Sequence, residues 1–143
     1  MCLAYTSSYE DAKDLFQEVL LNVWKAMGSF QNKSSINTWL YRITINVCLR
    51  ANQKINKRKS RFLSADGMAL ESLQISEPHQ KSYPELYHCI KSLSEIERSI
   101  VMLFLEDMPY KEIAEITGLT ANNVAVKMTR IKAKLFNCLT PIL

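Results

Sequence analysis

The sequence predicts an all-α protein. Glycine and proline are scarce, at 3 and 4 of 143 residues, and apolar residues recur at intervals of three and four, the period of an amphipathic helix. Stretches of alternating polarity, which are typical of strands, do not occur in the sequence. We therefore expect two small helical domains, residues 1–55 and 83–143, joined by a flexible linker over residues 56–82, with a four-helix module at the C-terminal end.

The first helix is expected to begin at a capping box, Ser7-Ser8-Tyr9-Glu10. Its apolar residues form one broad face between Ala12 and Met27. The opposite side carries acids and amides: Asp11, Asp14, Gln17, Glu18 and Asn22. Acids in the first turn compensate the helix dipole, but Glu18 lies too far along the helix for that explanation. An acidic surface of this kind indicates a cationic partner.

A second helix is predicted after a polar loop, with Ser34 or Ser35 as its cap. Arg42, Asn46 and Arg50 recur every four residues in it and therefore share one stripe. From residue 19 to residue 65 the chain has nine basic residues and no acid. This stripe is either a plain solvent-facing surface or a contact for an anionic partner.

The segment from residue 56 to residue 82 predicts a linker. The basic run that begins near Asn52 loses the apolar period, and the residues after it are mixed and polar, with Gly67 and Pro78 among them. The basic run is either a solubilising segment or a contact for phosphates.

The C-terminal module is expected to begin at Pro84, with a second capping box at Ser94–Glu97. Within it, residues 110–135 predict a helix-turn-helix: Gly118 suits a helix end and Thr120 caps the next helix. That last helix is apolar at Val124, Met128, Ile131 and Leu135, and on its other side it carries Asn123, Lys127, Arg130 and Lys134. Such a face can approach phosphates and base edges. We therefore predict DNA binding, the alternative being a helical hairpin whose basic side is only solvated.

Several function classes are disfavoured by the composition. The four cysteines (Cys2, Cys48, Cys89 and Cys138) are dispersed without a C-x-x-C pair, so we expect no metal site and idle thiols in a reducing cytosol. No apolar run is long enough to span a bilayer, so we expect a cytoplasmic protein without membrane insertion. The sequence has no nucleophile–base set and no glycine-rich phosphate loop. We therefore expect no enzyme activity, no cofactor and no small-molecule substrate.

Two stretches of the chain resemble one family. DAKDLFQEVLLNVWKAMGSF and TWLYRITINVCLR resemble the second conserved region of extracytoplasmic-function (ECF) sigma factors, and LSEIERSIVMLFLEDMPYKEIAEITGLTANNVAVKMTRIKAKL resembles their fourth region. They occur in the family's order, separated by a variable segment. The resemblance implies a transcription initiation factor that binds core RNA polymerase and directs it to promoter DNA, and an anti-sigma factor as a further partner.

The resemblance also implies which residues contact each partner. The polymerase clamp would be bound by Asp14, Gln17, Glu18 and Asn22. The minus-ten element would be contacted by the loop residues Lys33, Ser34, Ser35, Asn37 and Thr38 and by the helix residues Arg42, Asn46 and Arg50. The minus-thirty-five element would be contacted by Asn122, Asn123, Lys127 and Arg130, with Lys111 and Lys134 on phosphates.

The chain departs from the family pattern in three places. Only about nine residues precede the D-x-x-Q-E motif, where members usually carry a further helix or two, so we expect the chain to be short at the N-terminus. We therefore expect the broad apolar face to lack a neighbour, because of a truncation or because it packs on a partner or another copy. The family tends to have Asp where Arg50 stands, and Lys or Ser are common where Ala125 and Val126 stand.

Two alternatives remain at this point. The first is a conventional helix-turn-helix regulator that never joins polymerase, although the acidic helix argues against it. The second is a truncated interaction protein that binds an anti-sigma factor.

Overall fold

A computed structural model describes residues 1–63 and 83–142. The described residues form two short 3-10 helices and six α-helices and contain no strand, which confirms the all-α prediction. The first 3-10 helix, called here the N-terminal turn, spans Cys2–Tyr5, and the second spans Met27–Ser29. The α-helices are α1 (Tyr9–Ala26), α2 (Ile36–Leu63), α3 (Pro84–Lys91), α4 (Glu95–Leu105), α5 (Tyr110–Thr117) and α6 (Ala121–Leu139).

The N-cap of helix α1 lies one residue after the predicted cap, Ser7. The Ser8 hydroxyl oxygen accepts a hydrogen bond from the Asp11 backbone N–H at 3.1 Å, so Ser8 is the N-cap and the capping box predicted from Ser7 to Glu10 is wrong. The difference is local, because adjacent serines offer the same capping group. Ala12, Leu15 and Val19 are buried on the inner side of α1.

Helix α2 is the central element, because it packs against α1 on one side and against α5 and α4 on the other. The sequence pattern of this helix predicts one inner face, made of Ile36, Trp39, Leu40, Ile43, Val47 and Cys48. Val47 and Cys48 are buried as expected and Ile36 is exposed, whereas the buried Thr38 and Ile45 lie outside that face. Thr38, Tyr41, Ile45 and Asn52 are spaced by three, four and seven residues and so share a second face. This second face points toward the C-terminal module.

The helix is also longer than the sequence pattern indicated. Residues 56–63, which were predicted to begin the linker, are helical. Lysine and arginine are good helix formers, so the basic run extends the helix although it has no apolar face to bury. The remainder of the predicted linker, residues 64–82, lies outside the described residues.

The C-terminal module consists of α3 to α6, as predicted. Ser94 and Glu97 form the expected capping box at the start of α4. Arg98 ties the turn between α3 and α4 together by donating from one terminal nitrogen to the carbonyl oxygens of Lys91 at 2.7 Å and Leu93 at 3.2 Å. The core of the module consists of buried residues from all four helices, among them Ile90, Ile100, Leu103, Ile113, Val124 and Ile131.

The two domains pack against each other in the described residues. The Tyr5 hydroxyl lies 2.8 Å from the Ser99 hydroxyl of α4. The Tyr41 hydroxyl donates to the Glu106 carboxylate at 3.1 Å, and the Asn52 side-chain amide donates to the Glu95 carboxylate at 2.9 Å. One hydrophobic cluster runs through both domains, so the second face of α2 is covered by the C-terminal module.

The cysteines depart from the sequence prediction. Cys89 in α3 and Cys138 in α6 form a disulfide with a Cα–Cα distance of 5.9 Å, so the expectation that all four are idle thiols is wrong for this pair. The two residues are separated by 49 positions, and only the packing of α3 against α6 brings them together. Cys2 and Cys48 are free thiols.

The contribution of the Thr120 cap to the stability of α6 can be tested by mutation. The Thr120 hydroxyl oxygen accepts from the Asn123 backbone N–H at 3.2 Å, and removing such a cap costs about 1 kcal/mol. We expect Thr120→Ala to lower the free energy of unfolding by that amount in urea denaturation. Thr129→Ala, the same change at an exposed position in the same helix, should stay within about 0.5 kcal/mol of the wild type. Equal losses in both variants would show that the cap is not the cause.

Candidate nucleic-acid interface

The helix-turn-helix has the predicted turn. Gly118 ends α5 in the left-handed conformation, with φ at 76°, which a side chain bearing a Cβ rarely adopts. Its N–H donates to the Ala114 carbonyl oxygen at 2.9 Å. Thr120 then caps α6, so the turn between the two helices is set by local backbone chemistry.

Helix α6 has one buried side and one exposed side. Val124, Met128 and Ile131 are buried against the module. The residues predicted to contact the minus-thirty-five element lie on the other side of α6, apart from Lys111, which is in α5. Asn122, Asn123, Arg130 and Lys134 are exposed, Lys127 is half-buried, and Lys111 is exposed. The members of this group in α6 therefore share the side of the helix opposite its buried residues.

Two lysines of α6 also contact α4. Lys134 Nζ lies 2.6 Å from Glu97 Oε1, and Lys132 Nζ lies 5.0 Å from the centre of the Phe104 ring. Lys134 therefore has a carboxylate partner within the module, in addition to its predicted role at a phosphate. Lys132 covers an aromatic ring, an arrangement in which the ring's negative face attracts the ammonium.

The hydrogen bond from Lys134 lowers the pKa of the Glu97 carboxyl below its usual value of 4.5. A carboxyl whose pKa is depressed in the folded state contributes stability above its unfolded pKa and loses it as pH falls through the folded pKa. We expect Glu97→Gln to be less stable than the wild type at neutral pH and the difference to shrink as the pH falls below 4.5. Urea denaturation across that range measures it. Lys134→Gln removes the cause of the pKa shift, so its free energy of unfolding should also approach that of the wild type as the pH falls. A difference that stays constant with pH would contradict the ion pair.

The loop residues predicted to contact the minus-ten element lie just before and within the first turn of α2. The Ser35 hydroxyl oxygen accepts from the Thr38 backbone N–H at 3.2 Å, and the Ser35 hydroxyl donates to the Thr38 hydroxyl at 2.9 Å. Ser35 is therefore the capping residue. Lys33, Ser35 and Asn37 are exposed and Ser34 is half-buried, whereas Thr38 is only 1% exposed.

The basic stripe of α2 runs along the edge of the domain contact. Arg42 is half-buried and donates from a terminal nitrogen to the Glu115 carbonyl oxygen of α5 at 3.3 Å. Asn46 and Arg50 are exposed, and Arg50 reaches the side-chain oxygen of Asn22 in α1 at 3.5 Å. The stripe is thus open at one end and covered by the C-terminal module at the other.

The predicted polymerase surface lies on α1. Asp14, Gln17 and Glu18 are exposed, whereas Asn22 is half-buried and donates to the Glu18 carbonyl oxygen at 2.8 Å. Large apolar side chains lie on the same helix and are exposed: Phe16, Leu20, Leu21, Trp24 and Met27. The broad apolar face predicted between Ala12 and Met27 is therefore divided. Ala12, Leu15 and Val19 are buried, whereas the large side chains beside them are exposed among the described residues.

The chain matches two known sequence families along most of its length. Residues 1–59 match Sigma-70 region 2, and residues 83–135 match Sigma-70 region 4. Over 131 residues the chain is 26% identical to the RNA polymerase sigma factor SigV of Bacillus subtilis, covering 91% of this chain and 76% of SigV.

The chain belongs to the ECF sigma factors.

Two further comparisons agree with that family. The chain is 49% identical over 57 residues to the ECF RNA polymerase sigma factor SigG of Mycobacterium tuberculosis, a match that spans 40% of this chain and only 15% of SigG. The fold is similar to that of the sigma factor RpoE in its complex with the anti-sigma factor NepR from Bartonella quintana. The TM-score is 0.76 at 23% identity, covering 96% of this chain and 86% of RpoE.

The family boundaries in this ECF sigma factor coincide with its structural elements. The region 2 match covers the N-terminal turn, α1 and most of α2, and the region 4 match begins just before α3 and ends within α6. No helix among the described residues combines the length and apolar character needed to cross a membrane. Nor do residues 1–63 and 83–142 bring three potential metal-ligating side chains together.

Some contacts of this ECF sigma factor had no signal in its sequence. Tyr5 and Glu115 bridge the domains. Tyr5 belongs to none of the predicted faces or motifs, and Glu115 contributes only its backbone carbonyl oxygen, which a side-chain pattern does not reveal. Thr38 was predicted from the resemblance as a loop residue for DNA, yet it is only 1% exposed and its hydroxyl accepts a hydrogen bond from Ser35.

Proposed function

We propose that this ECF sigma factor is a transcription initiation factor that binds core RNA polymerase and directs it to promoters. It acts as a specificity subunit with no catalytic site of its own. The observation that carries the proposal is the combination, in one chain, of a helix-turn-helix with an exposed amide and basic surface and an α1 helix with an exposed acidic surface. A DNA-binding regulator that never joins polymerase needs only the first of these.

Helix α6 recognises the minus-thirty-five element in the major groove. Asn122, Asn123 and Arg130 are exposed at the accessible side of α6 and can donate to and accept from base edges. Lys127, Lys111 and Lys134 lie beside them and contact phosphates or bases. Lys134 has to leave Glu97 to do so, which makes its contribution smaller than that of Arg130.

Helix α2 and the loop before it recognise the minus-ten element. Lys33, Ser34, Ser35 and Asn37 form an exposed polar group that can hold an unstacked base, and Arg42, Asn46 and Arg50 follow the backbone. Since Thr38 is buried and Arg42 is held by α5, full engagement of this surface requires the two domains to separate. Residues 1–55 and 83–143 therefore act as separate recognition domains, with residues 56–82 as the connection.

Helix α1 binds the polymerase clamp. Asp14, Gln17 and Glu18 present carboxylate and amide oxygens to a cationic surface. Asn22 lies one turn further along α1, at the C-terminal end of the same surface, and donates to the Glu18 carbonyl oxygen. Complementary charge of this kind raises the rate of association and fixes the docking register. The exposed apolar side chains of the same helix supply apolar contact area, which is buried when the polymerase docks.

An anti-sigma factor is the third partner we propose. The sigma factor RpoE of Bartonella quintana, which has this fold, was solved bound to the anti-sigma factor NepR. A protein of that class would hold this chain in a state in which α2 stays covered. Its identity would follow from capture on this chain and competition with core polymerase.

Transcription from a fragmented genomic library, with core polymerase in the presence and absence of this protein, tests the proposal. We expect new, discrete start sites that share two spaced upstream sequence motifs. No new starts, combined with detectable DNA binding, would favour a conventional regulator.

A further inference from the structure

The disulfide between Cys89 and Cys138 has no role in the function proposed above. It joins α3 to the last turn of α6, with the two Cα atoms 5.9 Å apart. No proposed contact with DNA or polymerase uses either residue. The two cysteines are separated by 49 positions, and α4, α5 and nearly all of α6 lie between them. One bond therefore closes the whole helix-turn-helix into a loop.

The two cysteines of this bond differ in how easily a reagent reaches them. Cys89 is 0% exposed, whereas Cys138 is half-buried and is preceded by the exposed Phe136 and Asn137. A thiolate opens a disulfide by attacking one sulfur, and the other sulfur leaves. Because access limits this attack, a small thiol reacts at Cys138, and Cys89 is the leaving group.

The last turns of α6 have few other contacts that hold them. The buried residues of this helix end at Ile131, and none of residues 132–139 is fully buried. Leu135 is half-buried against the hydrophobic cluster, and Lys134 pairs with Glu97. Segments with few buried contacts open at a low cost in free energy. Breaking the disulfide therefore releases the end of α6 while its first turns stay packed.

We propose that the Cys89–Cys138 disulfide is a thiol–disulfide exchange site, opened at Cys138 by a dithiol reductant, and that its redox state sets the stability of the C-terminal module. A disulfide restricts the unfolded chain, and a typical one changes the unfolding equilibrium constant by about 30-fold to 1,000-fold. The consequence for transcription rests on the proposed function. Lys134, a proposed phosphate contact, lies one turn before Cys138, so reduction loosens the DNA-binding helix at that end.

The exchange takes two steps. A thiolate of the dithiol attacks the Cys138 sulfur, a mixed disulfide forms, and the bond to Cys89 breaks, so that Cys89 leaves as a thiolate and takes up a proton. The second thiol of the reductant loses its proton and attacks the reductant's own sulfur in the mixed disulfide. Cys138 then leaves and is protonated. One protein disulfide and one dithiol give two protein thiols and one cyclic disulfide, with two electrons transferred.

Mass spectrometry of the full, folded chain tests the exchange. After equilibration with oxidised glutathione we expect a peptide pair that links Cys89 to Cys138. Treatment with dithiothreitol without denaturant, followed by alkylation, should place one alkyl group on each of the two residues, and renewed oxidised glutathione should restore the link. Two free thiols after equilibration with oxidised glutathione, or a link that opens only in urea, would overturn the proposal.

Urea denaturation of the oxidised and the reduced chain tests the effect on stability. We expect the reduced wild type to unfold at a lower urea concentration and its backbone amides in residues 135–139 to exchange hydrogen faster. Cys138→Ser should resemble the reduced wild type under both conditions. Cys2→Ser, which changes a half-buried free thiol, should respond to reduction as the wild type does. Equal urea midpoints for the oxidised and the reduced wild type would overturn the stabilising role.

Initiation with core polymerase on the same samples separates this proposal from the proposed function. We expect the reduced wild type to lose initiation at a lower temperature than the oxidised wild type, and Cys138→Ser to show no such difference. Loss at one common temperature, although the urea midpoints differ, would overturn the consequence for transcription. A chain that initiates in neither state would count against the proposed function, and the urea midpoints would still decide the role of the bond.

Discussion

Reversal of the charge of Glu18 is expected to abolish most of the binding to core RNA polymerase. The side chain is exposed on α1 in the surface that we propose for the cationic clamp. Placing a like charge against a charged partner costs several kcal/mol, so Glu18→Lys should weaken association by orders of magnitude. Competition with labelled wild-type protein for core polymerase measures the effect.

The matched control for Glu18→Lys is Glu10→Lys. Glu10 lies on the same helix and is exposed, but it pairs with Lys13 at 3.5 Å and lies outside the proposed surface. Its reversal affects the helix dipole by about 0.3–1 kcal/mol and should leave polymerase binding close to that of the wild type. If the two variants lost binding equally, or if Glu18→Lys lost none, α1 would not be the clamp-binding helix.

Truncation of Ile131 is expected to give a large loss of stability. Ile131 is fully buried beneath the side of α6 that we propose faces DNA. Replacing a buried isoleucine by alanine costs about 2–5 kcal/mol, because a cavity adds to the lost transfer free energy. For a small module this is a large part of the total stability. Urea denaturation of Ile131→Ala measures it.

Phe136 provides the control for that substitution. It lies in the same helix and is a larger side chain, but it is 70% exposed. Phe136→Ala should therefore change the free energy of unfolding by no more than about 0.5 kcal/mol. A loss as large as that of Ile131→Ala would mean that the exposed side of α6 is packed in solution, which would contradict its assignment to DNA.

The helix-turn-helix could be predicted from the sequence because its signals are local. Gly118 and Thr120 act on backbone groups within a few residues of themselves, and the buried residues of α6 recur with the helical period. The exposure of the residues predicted for the minus-thirty-five element could be predicted for the same reason. Residues opposite a buried stripe of a helix are exposed unless another element covers them.

The domain contact could not be predicted in the same way. Thr38 and Ile45 are buried because α2 packs on two sides, whereas a single amphipathic face was all that the sequence pattern of α2 indicated. The Cys89–Cys138 bond likewise joins two positions that are distant in the chain. Such pairs depend on how helices dock, and no local period carries that information.

The most direct test of the central claim is a double-mutant cycle between Arg130 and the upstream promoter motif, measured as initiation by the holoenzyme. We expect Arg130→Ala to lose about 1–3 kcal/mol of recognition on the intact promoter. On a promoter whose upstream motif is scrambled, the same variant should lose almost nothing, because the contact is already absent. An equal loss on both promoters would contradict the assignment of α6 to sequence recognition.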